Sequence, residues 1–316
     1  MLAVLAPGQG SQKPGFLAPW LDLPGTEARL RQWSELAGLD LVHLGTAADA
    51  DEIKDTAKTQ PLLVSAALIA GAHLLPAGAD ATPTSADAAS IVLAGHSIGE
   101  VAAAALAGVL TPEVAITFAA ARGREMAAAC ALEPTGMSAV LGGDPDEVVA
   151  AIDAAGLYPA NRNGAGQIVA AGSLPALAAF AEQPPAKARV IALQVAGAFH
   201  TPYMAPAEKA LAAVAGGITP ADPALPLLSN ADGTAVTDGA TVLARLVAQV
   251  TAPVRWDLCL GTLKGLGVTG IIELPPAGTL AGLAKRELKG VEIVTLNTPD
   301  DLKAAHDLLA RIGEDQ

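Results

Sequence analysis

The pentapeptide Gly95-His96-Ser97-Ile98-Gly99 constrains the fold of this chain more than any other feature, because of what stands on either side of it. Before it runs Ser90-Ile91-Val92-Leu93-Ala94, a short apolar stretch that reads as a buried strand, and after it comes the helix-forming stretch Val101–Leu110. A chain that passes from strand to helix within five residues must bend sharply. Glycines on both sides of Ser97 remove the Cβ atoms that would crowd the bend, and the serine oxygen is left exposed at its tip. The N–H groups at the start of the following helix then face any negative charge that develops there. Strand, tight turn and helix in this order predict an α/β layered fold.

The rest of the chain supports that class and adds a second unit. Leu2–Ala6 reads as another buried strand, followed by the glycine-bearing loop Pro7-Gly8-Gln9-Gly10-Ser11-Gln12. This loop is not a dinucleotide fingerprint, since G-x-G-x-x-G would require glycine where Lys13 stands. Thr59-Gln60-Pro61 and Thr111-Pro112-Glu113 place proline as in a helical first turn, which predicts a helix over Leu62–Leu75 and a long alanine-rich one after Thr111. The aperiodic stretch Pro76–Ser90 between them reads as a surface loop. From about Thr135 to Ala196 the pattern changes: strand Met137–Leu141, helix Pro145–Ala155, strands near Leu157–Asn161 and Gln167–Ala171, helix Pro175–Glu182, strand Arg189–Val195. That β-α-β-β-α-β order is ferredoxin-like and predicts a small inserted subdomain. Alternation then resumes with strands at Val268–Leu274 and Glu292–Leu296 and a final amphipathic helix over Asp300–Ile312.

Composition excludes several function classes. The chain has 316 residues, of which 52% are hydrophobic, enough for a sizeable core, yet no uncharged apolar run approaches the roughly 18 residues of a membrane span. Its start breaks into Pro7-Gly8 too early for a secretory signal, so the expected location is cytoplasmic. A formal net charge of −13 argues against a nucleic-acid scaffold, which needs a dense basic face. Cys130 and Cys259 form neither a metal spacing nor a disulfide framework and read as small core residues; no metal site is expected.

A serine hydroxyl is a poor nucleophile without a base, so the five histidines matter. His96 adjoins the serine but by spacing points elsewhere, His43 and His73 lie in segments that read as structural, and His306 sits among Lys303, Asp307 and Arg311 on a charged helix side. His200 ends Val195-Ala196-Gly197-Ala198-Phe199-His200, at the junction between the two subdomains, where clefts form. On these residues alone it reads as a base or as a satisfied core histidine. Arg122, within Phe118-Ala119-Ala120-Ala121-Arg122-Gly123-Arg124, is a cation on an apolar helix segment and must find an anion. An internal salt bridge and a clamp on a substrate carboxylate both meet that need.

Four of these segments together resemble one family: Pro-Gly-Gln-Gly-Ser-Gln at 7–12, Gly-His-Ser-Ile-Gly-Glu at 95–100, Arg122-Gly123, and Gly-Ala-Phe-His at 197–200. They resemble malonyl-CoA:acyl carrier protein transacylases. Thr59-Gln60-Pro61, Asn163-Gly164-Ala165-Gly166-Gln167, and Gln249 with Pro253-Val254-Arg255-Trp256 extend the resemblance over nearly the whole chain. The resemblance implies an α/β-hydrolase-like large subdomain with a parallel sheet, residues 1–131 and 197–316, carrying a ferredoxin-like small subdomain, residues 132–196. It implies ping-pong transfer of malonyl from malonyl-CoA to the phosphopantetheine thiol of acyl carrier protein through a malonyl-serine, supplying fatty-acid or polyketide synthesis or both.

By the same resemblance Ser97 is the nucleophile, and His200 is the base, oriented by the backbone carbonyl of Gln249. The N–H groups of Gln9 and Ile98 form the oxyanion hole, Arg122 holds the malonyl carboxylate with water or a neighbouring acid as its partner when unbound, and Asn163, Phe199 and Gln249 complete the substrate site. Related polyketide acyltransferases carry Phe-His when they select malonyl and Ser-His when they accept a branched extender, so Phe199 implies malonyl. One methyl is worth only about 1–3 kcal/mol in such a pocket, which leaves room for leakage to methylmalonyl-CoA. No cofactor is implied; the expected partners are malonyl-CoA and acyl carrier protein, with no nucleic acid and no membrane, and the chain is expected to be a monomer. Glu273-Leu274-Pro275-Pro276-Ala277-Gly278 departs from the family's usual Gly-Pro-Gly turn, and Lys285-Arg286 just beyond it is a candidate docking patch for the carrier. The rival readings are a serine thioesterase or esterase with water as acceptor, and a noncatalytic docking protein on the same fold.

Overall fold

The computed structural model describes residues 1–75 and 90–314. The larger of its two sheets contains β1 (Leu2–Ala6), β2 (Ile91–Gly95), β7 (Leu227–Leu228), β8 (Ala235–Val236), β9 (Gly270–Glu273) and β10 (Glu292–Thr295), in the order β10-β9-β1-β2-β7-β8. Every pairing is parallel except that of β7 with β8. β1 and β2 are buried along their full length, as central strands covered on both faces must be. Successive side chains divide between two cores: Leu2, Val4 and Ala6 pack on one face with Leu62, Val101 and Phe118, whereas Ala3 and Leu5 pack on the other with Cys259, Leu263 and Leu283. The first face is covered by helices Thr56–Leu74, Gly99–Leu106 and Pro112–Cys130, the second by Trp256–Gly265 and Thr279–Glu287.

The smaller sheet is antiparallel, formed by β3 (Thr135–Gly142), β4 (Tyr158–Gly164), β5 (Gln167–Ser173) and β6 (Ala188–Ala192) in the order β4-β5-β3-β6. With helices Pro145–Ala154 and Leu174–Glu182 packed on it through Val148, Ile152, Leu177 and Phe180, it has the ferredoxin-like arrangement that the sequence order predicts. Reciprocal bonds between β4 and Val254 join it to the larger body: Val254 N–H donates to the Ala160 carbonyl and Arg162 N–H to the Val254 carbonyl, each at 2.9 Å.

Three sequence boundaries need correction, and one expectation cannot be placed. The helix expected from Leu62 begins at Thr56, because Asp55 accepts the Ala57 N–H and caps it there; Pro61 lies inside the helix. The helix after Ser97 ends at Leu106, short of Leu110, where Gly108 turns the chain with φ +85°. β6 ends at Ala192, although Leu193 N–H still donates to the Met137 carbonyl at 2.9 Å, and Leu193 and Val195 line a cavity. Residues 76–89, expected as a surface loop, lie outside the described residues. At the atypical turn, the buried Glu273 carboxylate accepts N–H groups from Gly278, Leu280 and Ala281 at 2.7–2.9 Å and so caps helix Thr279–Glu287.

Candidate active site

A cavity of about 200 Å³ opens between the two sheets, lined by Gln9, Ser97, Asn163, Phe199 and His200 among others. Ser97 stands at the end of β2 with φ +54°, a left-handed conformation uncommon outside glycine. Its two glycines are required by close approach: a Cβ on Gly95 would lie 2.1 Å from the Gly99 main chain, and one on Gly99 would lie 2.1 Å from the Ala6 carbonyl. The loop after β1 packs against the elbow as well, since a Cβ on Gly8 would lie 2.8 Å from the His96 carbonyl oxygen. The main-chain N–H groups of Gln9 and Ile98 donate to no protein acceptor among the described residues.

His200 reaches the serine from the far side of the cavity, with Nε2 2.8 Å from Ser97 Oγ and Nδ1 2.8 Å from the Gln249 carbonyl oxygen. A carbonyl can only accept, so Nδ1 bears the hydrogen and Nε2 presents its lone pair to the hydroxyl. Burial, reinforced by the Arg122 charge, pushes the imidazole pKa down to about 3, so the ring is neutral at physiological pH.

Arg122 is 1% exposed, yet among the described residues no carboxylate touches its guanidinium. Nη1 donates to Gln60 Oε1 at 2.7 Å, and Nη2 donates to Gln249 Oε1 at 2.8 Å and to Ser97 Oγ at 3.3 Å. The Nε atom is buried with no hydrogen-bond partner among the described residues. Glu100 stands behind Gln249, whose Nε2 donates to Glu100 Oε2. The salt bridge that sequence left open is therefore not formed, and the expected neighbouring acid is replaced by two amide oxygens. Burial lowers the Arg122 pKa to about 10 even though the nearby Glu100 charge opposes the shift. A cation held by neutral acceptors keeps its charge available to an entering anion.

Of the remaining expected residues, Asn163 and Phe199 line the cavity, whereas Gln249 stands behind it, bonded to Arg122 and His200. Asn163 Oδ1 accepts from His96 Nε2 at 2.9 Å, and Asn163 Nδ2 donates to Gln167 Oε1 at 3.0 Å. His96 thus lines the cavity with one ring nitrogen committed, and its ring meets Trp256 edge-on. The other histidines have different partners: His43 pairs with Glu52 at 3.2 Å, and His306 Nε2 lies 2.8 Å from the His73 carbonyl oxygen. Gln60 and Glu100, which lie in segments that carry the resemblance but were given no role by sequence, and Asn230, which sequence did not single out, bond to the central groups. Among the described residues no group of His, Cys, Asp and Glu could hold a metal, and no helix is long and apolar enough to cross a membrane.

A family model described as an acyl transferase domain matches residues 5–307. The Mycobacterium tuberculosis protein named malonyl CoA-acyl carrier protein transacylase is 56% identical over 306 residues, covering 96% of this chain and 98% of its own. The chain belongs to the malonyl CoA-acyl carrier protein transacylase family. The Escherichia coli member of that name is 31% identical over 313 residues, 97% of this chain and 99% of its own. Among solved structures, MCAT from Mycobacterium tuberculosis matches with a TM-score of 0.89 and 54% identity, over 97% of this chain and 99% of its own. A malonyl-transacylase solved in complex with its type II PKS acyl-carrier protein matches with a TM-score of 0.87 and 29% identity, over 97% and 99%. The family therefore spans both sheets of this chain as one shared architecture.

Proposed function

We propose that this protein transfers malonyl from malonyl-CoA to the phosphopantetheine thiol of an acyl carrier protein by a ping-pong reaction through malonyl-Ser97. The observation that carries the reading is the meeting, at one serine oxygen, of a neutral histidine at 2.8 Å and an arginine at 3.3 Å with no carboxylate on it. His200 Nε2 takes the hydroxyl proton as Ser97 Oγ attacks the thioester carbonyl, and the N–H groups of Gln9 and Ile98 receive the oxyanion. Collapse breaks the C–S bond, and the imidazolium returns the proton to the departing CoA thiolate. The carrier thiol then gives its proton to His200 and attacks the acyl-serine, and Ser97 leaves with that proton restored. Arg122 pairs with the malonyl carboxylate, Phe199 closes the space beside the α-carbon, Asn163 shapes the remaining wall, and Gln249 holds Arg122 and His200 from behind.

Water in place of the carrier would make the same elbow a thioesterase. Transfer is favoured by the names borne by the relatives and by the carrier complex solved for one of them. The same proposal includes supply of fatty-acid or polyketide synthesis, a cytoplasmic location and a monomeric enzyme. It also takes residues 132–196 as the small subdomain, supported by the fall of all four antiparallel strands between Thr135 and Ala192. Intact-protein mass after brief mixing with malonyl-CoA or acetyl-CoA tests the chemistry. A malonyl adduct that disappears in Ser97→Ala and is absent with acetyl-CoA is expected. Equal acetyl labelling, or no adduct, sinks the proposal.

A further inference from the structure

We propose that Asn230 is the positioning residue of the nucleophile, an amide brace that holds the main chain on both sides of Ser97 in its reactive conformation. This rests on Ser97 being the nucleophile. Asn230 follows β7, which pairs with β2 through Leu227 and Leu93, so its side chain is delivered behind the elbow and is fully buried. Its Oδ1 accepts the Ser97 N–H at 2.8 Å, and its Nδ2 donates to the Gly95 carbonyl at 2.7 Å. One planar group thus clamps the last residue of the strand and the serine two residues on. Only a group that offers a donor and an acceptor side by side can do this, which means an amide or a protonated carboxyl.

The brace is itself fixed. Asn230 N–H donates to Glu100 Oε1 at 3.2 Å, and its carbonyl accepts from Arg255 N–H at 2.8 Å. Its Oδ1 also accepts from Gln249 Nε2 at 3.2 Å. Gln249 in turn presents its main-chain carbonyl to His200 and its amide oxygen to Arg122. Asn230 therefore bonds both to the nucleophile's own backbone and to the residue that orients the base and the guanidinium. Ser97 sits at φ +54°, a conformation that persists only where the surroundings enforce it. Without the brace the serine oxygen can drift from His200 and from the oxyanion donors, which lowers the rate of attack while leaving the cavity and its Arg122 anchor intact.

The test is the rate of malonyl-Ser97 formation, followed by rapid-quench intact mass over a range of malonyl-CoA concentrations and pH, for wild type, Asn230→Ala and Asn230→Asp. In Asn230→Ala the saturating rate should fall about 100-fold, the scale of a misplaced reacting group, with the half-saturating malonyl-CoA concentration changed by less than about threefold. In Asn230→Asp the substituted carboxyl, buried beside Glu100, favours its neutral form and can imitate the amide. Its rate relative to wild type should be far above that of Asn230→Ala at low pH and should drop as pH rises. The titratable groups facing this position are Glu100 and Cys259, with His200 and Arg122 beyond Gln249; referring each rate to wild type at the same pH accounts for them. Thermal unfolding checks that the variants fold, and if Asn230→Ala does not, the Asn230→Asp profile decides alone. An Asn230→Ala rate within about threefold of wild type, or equal losses in both variants at every pH, overturns the brace. A wild-type protein that forms no Ser97 adduct overturns the nucleophile reading and the brace with it.

Discussion

Replacing Arg122 with alanine should cut the proposed preference for a carboxylated acyl group about 100-fold, and the structure sets the scale. The guanidinium is 1% exposed and rests on the amide oxygens of Gln60 and Gln249, so a malonyl carboxylate entering the cavity would meet an otherwise unneutralised charge. Removing one partner of a buried ion pair costs about 3–5 kcal/mol, which corresponds to a loss of roughly 10² to several times 10³ in kcat/KM. The cavity is open to solvent on one side, which places the expected loss near the lower end, about 100-fold. Acetyl-CoA brings no carboxylate and should not share this loss. Arg122 also depresses the His200 pKa, so its removal leaves the base stronger toward either thioester. Intact mass after competition between malonyl-CoA and acetyl-CoA reads the ratio directly. A ratio that falls less than about tenfold, or an acetyl rate that falls in parallel, refutes the reasoning, because Arg122 would then act by supporting Gln249 and not by pairing with substrate.

Phe199→Ser should raise acylation by methylmalonyl-CoA relative to malonyl-CoA by about 10-fold or more, since the buried ring lines the cavity; an unchanged ratio places the methyl elsewhere. Lys285 and Arg286 are exposed on the helix whose Thr279, Leu280 and Leu283 line the cavity, so charge reversal at both should raise the carrier KM without altering malonyl-CoA hydrolysis. Equal carrier KM values before and after reversal remove that helix from the docking surface. Glu100→Gln should change how stability follows pH. Burial raises the Glu100 pKa from 4.5 to about 7, so its contribution is present below pH 4.5 and is lost as pH rises toward 7. Burial lowers that of His200 from 6.5 to about 3, so the folded state is penalised as pH falls below 6.5, and the two trends oppose each other between 4.5 and 6.5. The Tm of Glu100→Gln should therefore rise relative to wild type as pH goes from 4.5 to 7, and a difference that stays constant or shrinks rules out a raised Glu100 pKa.

What sequence could disclose follows from how far apart the cooperating residues lie. The elbow was legible because strand, two glycines and helix must be contiguous, and the ferredoxin-like insert was legible because its strands and helices carry their own periodicities. β7 and β8 were not, since two residues each are too few to show a period. Pro61 misled because it sits inside a helix that Asp55 has already started, where it forgoes one i→i−4 hydrogen bond, and is not in the first turn that proline favours. Asn230 left no local signal at all: its significance comes from β7 lying beside β2, which places it against a serine 133 positions earlier in the chain. Arg122 is the sharpest case. A buried arginine demands compensation, and sequence cannot say whether an acid or an amide provides it. Here Gln60 and Gln249 bind the guanidinium and Glu100 stands one side chain further back, so the hydrogen-bonding need is largely met while the charge is not neutralised in contact. Moving that acid forward by one side chain would leave the composition almost unchanged and turn the proposed carboxylate clamp into a structural salt bridge. On the proposed role of Arg122, selection for a carboxylated acyl group is thus a property of where three neighbours stand around one cation, which the folded arrangement reveals.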